Sequence, residues 1–104
     1  MIEQDFYEPS QAELNHRREV LAADPTTRPL FQDLSQPVQE YIRIEHTIFL
    51  AGESLPREER KALHAKLGQQ ARIFFSNKPG AERMREEITA YGQALSDEMM
   101  YGPK

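Results

Sequence analysis

The chain contains no cysteine and no tryptophan. The absence of cysteine removes disulfides, thiol nucleophiles and thiolate-held zinc or iron–sulfur centres, and it fits a reducing, cytoplasmic setting. Long apolar runs are missing as well. The longest, Val20 to Ala23 and Ile48 to Ala51, are four residues each, against the roughly 20 that a helix needs to cross a bilayer, so no membrane partner is expected. The opening Met1-Ile2-Glu3-Gln4-Asp5 is acidic and has no apolar core of the kind a signal peptide carries. An overall basic excess is also lacking: 13 Lys and Arg stand against 17 Asp and Glu, a net charge of −4, which argues against general affinity for phosphate backbones. No glycine-rich phosphate loop occurs, no serine or threonine neighbours a His/Asp pair, and no two acids sit in a catalytic frame. Neither catalysis nor a cofactor is expected.

What is present is helical patterning. At 104 residues, with 38% hydrophobic and 29% charged, the chain makes one small domain with a modest core. Residues 1–9 read as a flexible acidic arm and residues 10–104 as a single helical domain. Ser10 and Glu13 form a capping-box pair ahead of a short helix over about 11–23, which Asp24-Pro25 stops. Phe31, Leu34, Val38, Tyr41, Glu45, Ile48 and Gly52 then follow at spacings of 3, 4, 3, 4, 3, 4, one face of a helix kept in register. Pro37 lies inside that run. The preserved phase predicts one long central helix from a Thr27 cap to Ala51, bent or locally opened at Pro37 and ended by Gly52.

Ser54-Leu55-Pro56-Arg57-Glu58-Glu59 reads as a second helix start, with Ser54 as cap, and the helix runs to about Phe75. Ser76-Asn77-Lys78-Pro79-Gly80 breaks it. A last helix over about 81–100 carries Met84, Ile88, Tyr91, Leu95 and Met99 on a stripe narrow enough to resemble a coiled-coil seam. The expected fold is all-α: long antiparallel helices in a hairpin or bundle, preceded by a short helix. Such narrow seams leave little core for one chain. The C-terminal stripe Met84, Ile88, Tyr91, Leu95 and Met99 is therefore the expected self-association surface of a homo-oligomer.

Three further groups of residues invite functional readings. Glu45 falls in the middle of the central helix's apolar arc, where a carboxylate acts as an ion-pair member, a metal ligand or a proton-transfer group. The plainer expectation is that it snorkels at a helix crossing or pairs with an arginine such as Arg17 or Arg18. Glu13-x-x-His16 has the (i, i+3) spacing of carboxylate-bundle metal ligands, but it occurs once and doubles as a capping box, so no metal is expected. Neither His46 nor His64 has a second suitable ligand at helical spacing. Arg57, Lys61, His64 and Arg72 lie within about 80° of one another on a helical wheel, beside Gly68. Residues 57–85 hold eight Lys and Arg against three acids. That stripe is the expected partner-binding face, for an acidic protein surface first and for RNA second. Aromatic residues do not interleave it as they do in stacking-based nucleic-acid sites.

The ordered punctuation resembles the YlbF/YmcA family of small helical bacterial regulators. The resemblance rests on Leu21-Ala22-Ala23-Asp24-Pro25 before the central helix, Leu30-Phe31-x-x-Leu34 at its opening and Leu50-Ala51-Gly52 at its end. Pro56-Arg57-Glu58-Glu59, Leu63 and Leu67 follow, then Phe75-Ser76-Asn77 with Pro79, and Tyr91 and Leu95 in the closing helix. It covers about three-quarters of the chain. Pro37, the short N-terminal helix and residues 1–9 depart from the family pattern, and the lack of cysteine excludes the cluster binding associated with some members. The resemblance implies an oligomeric, non-enzymatic helical protein that acts through protein partners in developmental or mRNA-processing regulation. The two rival expectations are direct RNA binding through the basic stripe and a phage- or plasmid-encoded inhibitor that presents residues 1–13 as an acidic mimic.

Overall fold

The computed structural model describes residues 8–101, so most of the expected acidic arm, residues 1–7, lies outside the described residues. Those residues form four α-helices and no strand: α1 (Gln11–Ala22), α2 (Gln36–Ala51), α3 (Arg57–Phe74) and α4 (Ala81–Tyr101). The all-α expectation holds. Helix α1 starts where the capping box places it, with the Glu13 amide donating to Ser10 Oγ at 3.2 Å.

The single long central helix is not formed. Between α1 and α2 the chain makes two 3-10 turns, Pro25–Thr27 and Pro29–Asp33, and then passes through extended backbone at Leu34 and Ser35. Pro37 therefore sits in the first turn of α2, where an N–H has no intrahelical acceptor and its absence costs nothing. In a continuous helix its ring would have met the Asp33 carbonyl. The phase shared by Phe31, Leu34, Val38 and Ile42 survives the break because all four enter one core, with Phe74 and Tyr91. Tertiary packing preserves the register that the sequence alone assigned to helix continuity.

Two expected caps also move. Asp24, not Thr27, caps the first 3-10 turn: its carboxylate accepts from the Thr26 amide at 3.0 Å and the Thr26 hydroxyl at 2.8 Å. These donors hold the Asp24 carboxyl below its ordinary range. Ser54 closes a short turn by donating to the Ala51 carbonyl, and α3 begins after Pro56. Gly52 ends α2 at φ 48°, ψ −125°, a conformation open to glycine and strained for any other residue.

Helices α2 and α3 form an antiparallel hairpin. Gln70 donates to Glu40 at 2.8 Å, and the Tyr41 and Phe74 rings meet edge to face at 5.2 Å. Helix α4 returns along the pair and is anchored to the break. Glu87 accepts from both the Ser35 amide, at 3.1 Å, and the Ser35 hydroxyl, at 2.7 Å. Helix α1 lies across the far end of α4, where His16 Nε2 donates to the Glu98 carbonyl at 2.9 Å.

The α4 stripe expected to face a second copy is turned inward. Tyr91 is a core residue, and Met84, Ile88 and Leu95 pack against the core cluster; Met99 is half-buried. The periodicity was real, but within one chain α1, α2 and α3 already supply its partner.

Candidate functional site

A concave surface follows from the broken central segment. Because the chain folds back at residues 23–35, α1 does not continue into α2 but crosses it, and a cleft opens between α1, α2 and α4. It holds about 380 Å³, within the range of small-ligand sites. Its walls are mainly apolar, with Val20, Leu21, Ile42, Phe49, Ile88 and Leu95 among them, and Arg28, Glu45, His46 and Tyr91 supply the polar groups.

Two of those polar groups are already committed. The Arg28 guanidinium makes a half-buried ion pair with the Glu98 carboxylate and donates to the Val20 carbonyl at 3.1 Å. It thereby ties the end of α1 and the connecting turn to α4, while its Nε–H is buried with no acceptor. His46 Nε2 donates to the Ala22 carbonyl at 2.9 Å. A carbonyl has no proton to give, so Nε2 carries the hydrogen.

Glu45 is different. No hydrogen bond or ion pair reaches its carboxylate among the described residues, and the expected pairing with Arg17 or Arg18 is not formed there. Its side chain is exposed at the cleft, but the surrounding protein weakens the hydration of its charged form and pushes the carboxyl above the ordinary glutamate range. Tyr91 is raised chiefly by burial, with Arg28 opposing and Glu45 adding to the shift. The same carboxylate adds to the rise of Tyr41, again after burial.

The basic stripe is a separate surface. Arg57, Lys61, His64 and Arg72 are all exposed on α3, spread over about 22 Å of helix at 1.5 Å per residue. None of the four makes a hydrogen bond or ion pair with another described residue. Helix α3 buries one residue fully, Phe74. Past its end Phe75 is 77% exposed, and Ile73 beside it is partly so. The stripe lies on one solvent face of α3.

Glu13 and His16 do not meet as ligands: Glu13 completes the α1 cap and His16 is held by the Glu98 carbonyl. No three His, Asp or Glu side chains converge as a ligand set among the described residues, and no helix there is long and apolar enough to cross a membrane. The cleft itself was missed by sequence reasoning. Its one signal was Glu45, a carboxylate in an apolar arc.

No protein family, no curated protein and no solved structure matches this chain.

Proposed function

We propose that this chain is a non-enzymatic helical adaptor or regulator that docks an acidic protein surface through the outer face of α3. The observation that carries this reading is the stripe of Arg57, Lys61, His64 and Arg72, exposed and unpaired among the described residues, on a helix that packs on its inner side alone. Four positive or titratable groups left in water at helical spacing steer an oppositely charged partner and set its register more than they add raw affinity. Phe75, almost wholly exposed at the end of the same helix, supplies the apolar anchor that charge alone lacks; aromatic and arginine side chains dominate interface energetics. The ordered resemblance to the YlbF/YmcA regulators points the same way, toward regulation through protein partners.

The test is capture of partners by the tagged full chain from its native lysate, with and without nuclease, alongside a Lys61→Glu/Arg72→Glu variant. Protein partners that survive nuclease and are lost in the variant support the reading. Partners that vanish with nuclease transfer the stripe to nucleic acid, whose binding would then weaken steeply with salt.

A further inference from the structure

The cleft between α1, α2 and α4 is a second surface, and its chemistry is independent of the α3 stripe. We propose that it is a binding site for a small amphipathic amine, whose apolar chain lies against Val20, Ile42, Ile88 and Leu95 and whose ammonium group meets the Glu45 carboxylate.

The lining decides the sign of the ligand. Arg28 is the cation of the cleft, and it is neutralised by Glu98 and further held by the Val20 carbonyl, so it is not available to an incoming anion. His46 is held to the Ala22 carbonyl through Nε2. The Glu45 carboxylate has no partner among the described residues. The one Arg28 donor without an acceptor, its Nε–H, is withdrawn from the cleft surface, so the exposed charge of the lining that lacks a counter-charge among the described residues is that of Glu45. A carboxylate ligand would add a second unpaired negative charge beside the first, and a neutral one would leave Glu45 without a counter-charge. An ammonium donates to the carboxylate and neutralises it. Phe49 and Tyr91, both in the cleft lining, present aromatic surface of the kind that attracts organic cations.

Gly92 is a further, independent observation. It stands inside α4, where glycine costs about 0.5–1 kcal/mol relative to alanine, and it lines the cleft. No atom lies within 4 Å of where its Cβ would stand, so crowding does not demand glycine there. Its effect is to leave that part of the wall bare. The cleft volume of about 380 Å³ is near the lower end for ligand sites, which limits the occupant to a small molecule.

Titration of the full chain with hexylammonium, hexanoate and hexanol, followed by NMR of the Ile and Leu methyl groups, tests the assignment. Hexylammonium is expected to shift the Ile42, Ile88 and Leu95 signals saturably, with the other two probes binding at least tenfold more weakly. Glu45→Gln should weaken hexylammonium about tenfold and leave hexanol unchanged. Gly92→Leu, which fills the cleft from its own wall, should abolish the shifts. Should that variant fail to fold, the Glu45→Gln comparison decides alone. A lysine side chain from a protein carries the same alkylammonium group, so Nα-acetyl-lysine amide is titrated in parallel and should bind more weakly than hexylammonium. Equal or tighter binding of hexanoate or of the lysine derivative, indifference to Glu45→Gln, or no saturable shift would each overturn the proposal.

Discussion

Glu45 shows how one side chain carries a stability cost beside a recognition role. Its carboxyl is raised because folding disfavours the charged form. The sign follows by linkage. Below the unfolded-state value both states are protonated and no penalty exists; as pH rises through the raised folded value, the charge forms in poorly hydrating surroundings and stability is lost. Glu45→Gln should therefore melt at a higher temperature than wild type near pH 7 and lose that advantage below about pH 3, where glutamate is protonated in either state. Thermal unfolding at the two pH values checks this, and a wild type more stable than the variant at pH 7 would mean that the carboxylate has a cationic partner after all. Sequence reasoning singled out this residue because a carboxylate in an apolar arc is anomalous by pattern alone. It had no means of choosing between an arginine partner and a side chain that reaches water at a helix crossing, since that depends on how α1 packs against α2.

At the scale of elements, Pro37 and Gly52 make opposite predictions. Pro37 stands in the first turn of α2, preset for a helical φ and owing no hydrogen bond. Pro37→Ala should thus lower stability slightly, by about 0.4–1 kcal/mol, through a more flexible unfolded chain. A proline inside one continuous helix would give the reverse, a gain of about 3 kcal/mol on removal. Gly52→Ala should cost about 1–3 kcal/mol: a Cβ there meets nothing within 4 Å, so the whole penalty is backbone strain at positive φ. Denaturant melts of the two variants check both values. Helices α1, α3 and α4 were legible nearly to the residue because Ser10, the Pro56-Arg57-Glu58-Glu59 start and the break over residues 76–80 are local signals. The break at Leu34–Ser35 was not. It is held from α4 by Glu87, 52 residues away, and the 3–4 spacing that argued for continuity is equally what a common core imposes on two separate segments.

At the scale of the whole molecule, the helices enclose little. The radius of gyration is 16.2 Å, against about 13 Å for a compact domain of this length. Among the described residues nine hydrophobic side chains form the buried core, and Phe31, Phe74 and Val38 are the largest of those wholly withdrawn from water. Phe74 joins α3 to both its neighbours, so Phe74→Ala should cost about 3–5 kcal/mol, a large fraction of the stability of a domain this size. Circular dichroism melts would register it as loss of cooperative unfolding or a markedly lower midpoint. The apolar stripe of α4 serves this core. Among the described residues, surfaces open to other molecules include the cleft, the exposed aromatic and aliphatic residues at the helix ends, and the outer face of α3. The most direct measurement is the amount of protein partner captured from nuclease-treated native lysate by the wild-type chain and by its Lys61→Glu/Arg72→Glu variant, both shown to be folded. Partners retained by the wild type and depleted at least tenfold by the variant are the predicted result; equal capture by the two proteins would contradict docking through α3.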